Sequence, residues 1–258
     1  MKPLKLILIL SIAYVFMQCE QQIEVTESLN PHGLDDATIS RIAALGFDTK
    51  NFPVLKDGDY FTVEGDINIP ASYLDEAGHD NGRTEQRRFP NIISCNEVRY
   101  ITVYNNLPSG TTARSAVSLA MQHWNDITKC DIFLANTNNI NNAEIIISKG
   151  PLDGGVVGRA TMPSGGRPGK YIRLDLDDFN FDYAQWRSTI EHELGHCLGF
   201  AHTNGTSSSE IYIPDTPFTD ASSMMNSGQG GVVRKLTAGD KKAARLLYNL
   251  NFSGRLCN

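Results

Sequence analysis

The sequence predicts an α+β fold: a domain over residues 89–258, preceded by a smaller N-terminal segment of different character. Three observations predict it. Five short runs rich in β-branched and aromatic residues fall between positions 97 and 176. Residues 111–128 instead repeat their apolar positions at helical spacing. Two further helices are announced by reciprocal capping pairs, Asp182 with Gln185 and Thr237 with Asp240.

In chain order, MKPLKLILILSIAYVFMQCE opens with Lys2 and Lys5 and continues in an apolar run, Leu6 to Met17, too short to span a bilayer comfortably. This is the pattern of an export signal over residues 1–18. The run stops at Cys19, where a bacterial lipoprotein signal is cut and the new terminal cysteine acylated, although Gln18 stands where a small residue is usual. An ordinary signal peptide or an uncleaved anchor are the alternatives. Each places the remainder at the outer membrane or cell surface, or in the medium, where disulfides persist. Four cysteines then remain, Cys95, Cys130, Cys197 and Cys257, compatible with two disulfides in any of three connectivities. The pairing Cys95–Cys130 with Cys197–Cys257 is the one favoured.

Residues 19–88 read as a tether and a pro-segment. A helical pattern from Asp36 to Leu45 ends at Gly46, strand-like pieces follow around DYFTVEGDINIP, and the polar run DEAGHDNGRTEQRR lacks periodicity and reads as an exposed linker. From Phe89 the domain begins. EVRYITVYNN alternates as a strand; the next helix presents Ala113, Ala116, Val117, Ala120, Trp124 and Ile127 on one face; DIFLA, AEIIIS, GVVGRATM and YIRLDL supply four more strands. A helix capped by Asp182 runs through WRSTIEHELGHCL, and a last one, capped by Thr237, carries KKAARLLYNL. The 258 residues, 41% hydrophobic and 20% charged, suit a soluble globular chain, here expected as a monomer. A net charge of −6 without a basic stripe excludes nucleic acid as a partner.

The chemistry concentrates in EHELGHCLGFAH, residues 191–202, which holds three of the six histidines. On a helix, residues four apart share a face, so His192 and His196 aim at one point with Glu193 beside it. Gly199 is the residue able to end the helix in a left-handed turn, which would return His202 under the other two. Three neutral imidazoles with a fourth position left open suit catalytic Zn²⁺, and the adjacent carboxylate suits a general base. His32, His79 and His123 lack such company and read as ordinary histidines. Cys197 shares the side of Ile190, Leu194 and Leu198, which makes it core or disulfide rather than a fourth ligand.

HELGHCLGFAH resembles the extended zinc signature of the metzincin metalloendopeptidases, SSMMNS resembles their Met-turn, and LTAGDKKAARLLY resembles the C-terminal helix of the matrixin-type members. VEGDI, IPDTP and DASSMMN together resemble the bacterial secreted dual-action HEIGH metallopeptidases, over roughly Phe61 to Tyr248. The resemblance implies a twisted five-stranded mixed sheet, an active-site helix and a C-terminal helix. It also implies hydrolysis of protein or peptide substrates, with Met225 as a hydrophobic floor under the metal. A substrate is then expected on the edge strand Gly158 to Met162, with residues Ser227 to Val233 walling the pocket past the scissile bond. No tyrosine closely follows Met225, unlike the astacin-like members, and Leu194 stands where the bacterial subgroup often has isoleucine. Asp175, Asp177 and Asp178 read either as a solvated acidic turn or as a structural Ca²⁺ site.

Two expectations concern latency. Astacin-like precursors carry F-x-G-D, whose aspartate takes the water's place on zinc; FTVEGD offers Asp66 without the phenylalanine in position, and a cut after Arg88 would then free the enzyme. The alternative is a strand that merely covers the domain, and a second latency route is Cys95 as a thiolate on zinc. The rival functions are a zinc hydrolase of a non-peptide amide and a surface binding lipoprotein whose metal is not catalytic.

Overall fold

A computed structural model describes residues 33–45, 47–75, 86–153, 155–204, 211–217, 220–228, 230–249 and Cys257. The export signal, Cys19, His32, Gly46 and His79 lie outside them. The first helix, α1 (Asp36–Ala44), starts where the Asp35 carboxylate accepts from the Thr38 N–H, which satisfies a free amide of the first turn. Strands β1 (Leu55–Asp57), β2 (Tyr60–Val63) and β3 (Ile67–Pro70) follow as an antiparallel ribbon. After β4 (Arg87–Arg88) come β5 (Ile101–Asn106), α2 (Thr112–Asn125), β6 (Leu134–Asn136), β7 (Ile145–Lys149), β8 (Gly158–Thr161) and β9 (Tyr171–Leu174). Helix α3 (Tyr183–Cys197), β10 (Ile211–Tyr212) and α4 (Ala238–Tyr248) complete the chain.

The five strands expected from the sequence lie in the order β8-β9-β7-β5-β6, all parallel except β8. The sheet does not stop at β8. Strand β3 pairs with it in parallel and β2 and β1 extend it to eight strands. Ala160 N–H donates to Asp66 O and Met162 N–H to Asn68 O, so the strand expected to be an open edge is already paired. The reason lies in apolar pattern: Phe61, Val63, Ile67 and Ile69 are buried in a small core with Ile42, Phe47 and Val54, and this core closes on Phe89, Met162 and Ala201 from the other half. The main core lies between the sheet and the packed pair α2 and α3. Its residues include all six of the helical face expected on α2.

Three further expectations are corrected. Arg87 is 3% exposed and Phe89 fully buried; β4 pairs with β10, Ala201 N–H donates to Arg87 O and Phe89 N–H to Gly199 O. The Gln86–Phe89 stretch is therefore built into the second half, not an exposed link, because its backbone groups are spent on that half's loops. The disulfide is Cys95–Cys257, with Cα atoms 5.3 Å apart. Cys130 lies against the Ala244 carbonyl and Cys197 is fully buried on the inner side of α3, both as free thiols. Pairing follows the Cα separation the fold imposes, which sequence order does not reveal. With Cys95 oxidised, a Cys95 thiolate on zinc is ruled out as the latency ligand.

Candidate metal centre

Helix α3 carries the site and is anchored at both ends by local sequence. Asp182 and Gln185 form the reciprocal capping box at its start. At its end Gly199 takes φ +100°, Gly199 N–H donates to His196 O and Phe200 N–H to Gly195 O, which is a Schellman turn. That reversal returns the chain beneath its own helix. His202 thereby meets His192 and His196, as their spacing predicted.

The Nε2 atom of His192 lies 3.0 Å from that of His196 and 3.4 Å from that of His202. Three ligands at the usual zinc–nitrogen distance in a tetrahedron stand about 3.3 Å apart. Each ring is oriented by an acceptor on its other nitrogen: Met224 O at 2.7 Å from His192 Nδ1, Phe200 O at 2.9 Å from His196 Nδ1, and Glu64 Oε2 at 2.9 Å from His202 Nδ1. A carbonyl or carboxylate oxygen there requires the N–H at Nδ1, so three Nε2 lone pairs converge on one point. Converging lone pairs repel unless a cation sits between them, and the donor set therefore fits Zn²⁺.

Asp66 stands at the fourth position. Its Oδ2 is 3.3 Å from His202 Nε2 and 3.7 Å from His192 Nε2, and its Oδ1 is buried without a hydrogen-bond partner. Among the described residues, Asp66 and the three histidines form a group able to hold a metal. The turn from β2 into β3 delivers it, with Glu64 at φ +52° and Gly65 at φ +93°. Glu64 in that left-handed geometry is strained, and its carboxylate both orients His202 and accepts from the Asp48 N–H. Burial works to raise the Asp66 carboxyl, but the facing His202 and His192 rings outweigh it and hold the group well below the usual carboxylate range. His196, enclosed and beside two other imidazoles, is pushed down and stays neutral.

Glu193 projects toward β8. A methyl group on Gly158 would lie 2.6 Å from Glu193 Oε1, so the missing side chain there makes room for the carboxylate. Oε2 is buried without a partner, and burial, then the Asp66 charge, raise the carboxyl well above its ordinary value. Met225 is fully buried, and a methyl on Gly195 would lie 2.3 Å from its sulfur, which places the thioether against α3 between the ligand-bearing turns. A cavity of about 650 Å³ opens beside His192, Glu193 and Asp66 and is bounded by Gly228, Gly230, Val232 and Arg234 of the segment after Met225.

Other expected residues fall elsewhere. Asp175 spends Oδ1 on the Asp177 and Asp178 N–H groups and Oδ2 on that of Leu152, while Asp177 pairs with Lys149. Tyr248, the tyrosine of α4, is buried and donates to Leu198 O, away from the histidines. His123 pairs with Glu191, which Arg187 also holds. Glu64 was not anticipated as a histidine partner; the signal available was the carboxylate two residues before Asp66 in VEGD.

The model of the dual-action HEIGH metallopeptidase family matches residues 61–248. Among solved structures, myroilysin is similar at 14% identity, over 61% of this chain and 85% of its own, with a TM-score of 0.41. High choriolytic enzyme 1, a hatching enzyme zinc-protease from the medaka fish Oryzias latipes, is similar at 19% identity, over 58% and 78%, with a TM-score of 0.35. No curated protein matches the chain.

Proposed function

The chain belongs to the dual-action HEIGH metallopeptidases and is a zinc metallopeptidase, and on that premise we propose an exported endopeptidase held latent by its own N-terminal segment. The observation that carries the catalytic reading is the convergence of three Nε2 atoms whose rings are each fixed by an acceptor on Nδ1. His192, His196 and His202 hold the metal. When bound, zinc supplies a Lewis acid that acidifies water and polarises a carbonyl. Glu193 takes the proton of the attacking water and passes it to the departing amine; its place on the wall of the cavity and its unpartnered Oε2 support that role. Met225 packs beneath the ligands as an apolar floor.

Latency rests on two placements. Asp66 occupies the position where water would stand, and β3 occupies the strand on which an extended substrate would pair. Release requires the segment to leave β8. A cut after Arg88 does not suit this, since Gln86 to Phe89 are held by the second half. Export follows from residues 1–18 with Cys19 as a lipid anchor, and the Cys95–Cys257 disulfide supports an oxidising compartment.

The test is a mass-spectrometric search for cleavage products of a peptide library, using the zinc-loaded chain intact and after limited proteolysis, beside Glu193→Ala treated identically. Internal peptide cleavage that disappears in the variant is expected. Absence of peptide products from folded, zinc-loaded protein in both states would refute the endopeptidase reading.

A further inference from the structure

A second buried polar cluster adjoins the histidines and uses none of them. Gln86 is 1% exposed, and its carboxamide joins two loops. Thr203 Oγ1 donates to Gln86 Oε1 at 3.1 Å, and Gln86 Nε2 donates to Ser223 Oγ at 3.3 Å and Asp220 Oδ2 at 3.4 Å. Ser223 Oγ gives its proton to Asp240 Oδ1 at 2.6 Å, so it meets both Gln86 Nε2 and the Thr203 hydroxyl, 2.8 Å away, as an acceptor, and the one Thr203 proton is shared between Ser223 Oγ and Gln86 Oε1. A carboxamide offers donors and an acceptor from one rigid plane. Thr203, Ser223 and Asp240 are all buried.

Each joined loop touches a ligand histidine. Thr203 follows His202 directly. Ser223 accepts from Met225 N–H, the neighbouring Met224 N–H donates to Asp240 Oδ2, and Met224 O is the acceptor that orients His192. Gln86 itself cannot swing, since its N–H donates to Thr216 Oγ1 and its carbonyl accepts from Ile213 N–H. Space around it is tight as well: a methyl on Gly239 would lie 2.5 Å from Asp220 Oδ2 and 3.2 Å from Gln86 Nε2.

The two loops also meet directly, through Thr203 N–H to Met225 O and Thr203 Oγ1 to Ser223 Oγ, and we infer that Gln86 is a positioning residue for zinc, a carboxamide clasp that braces this junction and with it His202 and the Met224 carbonyl. The inference rests on the three-histidine zinc reading. It also means that a chain beginning at Phe89 loses this clasp, whereas one beginning at or before Gln86 keeps it.

The test compares Gln86→Met, similar in length but without the amide, with Thr203→Val and Thr203→Ser in the full chain. Zinc affinity is read by chelator competition, and melting temperature is taken with and without zinc. Gln86→Met and Thr203→Val are expected to bind zinc about 10- to 100-fold more weakly, so that the zinc-loaded melt falls more than the metal-free one; Thr203→Ser, which keeps the hydroxyl, stays near wild type in both. Affinity within threefold of wild type in Gln86→Met overturns the inference, as does an equal fall of the two melts, the mark of a merely structural role. If Gln86→Met does not fold, equal zinc affinity of Thr203→Val and Thr203→Ser overturns it. A folded wild type that binds no zinc overturns the histidine site along with it.

Discussion

Gly158→Ala isolates the placement of Glu193 from metal binding. The added methyl would sit 2.6 Å from Glu193 Oε1 and 2.9 Å from its Cδ and Cγ. An ordinary contact begins near 3.4 Å, so the carboxylate must move by about 0.8 Å. The variant is not expected to unfold, because replacing a strand glycine by alanine contributes about 0.5–1 kcal/mol of conformational entropy and Glu193 is an end group able to shift. The three atoms nearest the new methyl all belong to Glu193 and none to a histidine, so zinc stoichiometry should be unchanged. A misplacement on the order of 1 Å in a positioned reacting group costs about 10²-fold. The expected result is therefore about a hundredfold fall in kcat with little change in KM, measured on a quenched peptide substrate after identical treatment of variant and wild type, with zinc content determined on the same samples. Wild-type kcat in a zinc-loaded Gly158→Ala protein would refute Glu193 as the base working from this position. Loss of zinc would instead show that the methyl disturbs α3 as a whole.

Three further outcomes follow from the same geometry. Asp66→Ala should raise the activity of the intact chain toward that of the proteolysed one, since the carboxylate at the fourth position is gone; no gain in a peptide assay would leave β3 alone as the block, or none at all. Cys95→Ser removes a cross-link between residues 162 apart, which in the chain-entropy account stabilises by about 5 kcal/mol as an upper value, so a clear drop in melting temperature is expected; an unchanged melt would mean the disulfide contributes little. Burial pushes the Cys130 thiol up to about 11 and that of Cys197 well above its ordinary value, so both should resist iodoacetamide at pH 8 in the native state and react after unfolding, with Cys130 the first to label as pH rises toward 11. Rapid native labelling of Cys197 would contradict its place in the core.

What the sequence determined is what local physics can encode. The capping pairs at Asp182 and Thr237 act within one helical turn, the α2 face repeats at helical spacing, and the three histidines need only a four-residue repeat and a glycine that admits positive φ. These features required no knowledge of where the rest of the chain lies. The tertiary structure decided everything carried by distant segments. Glu64 reaches His202 across 138 positions, Gln86 reaches Thr203 across 117 and Ser223 across 137, and Cys95 finds Cys257 across 162. The occupied edge of the sheet belongs with these, because β3 docks on β8 through a small apolar core shared by the two halves of the chain. A histidine motif declares its metal through spacing along one helix; the partners that orient, cover and block it are chosen by packing, where one apolar strand looks much like another until the sheet is assembled.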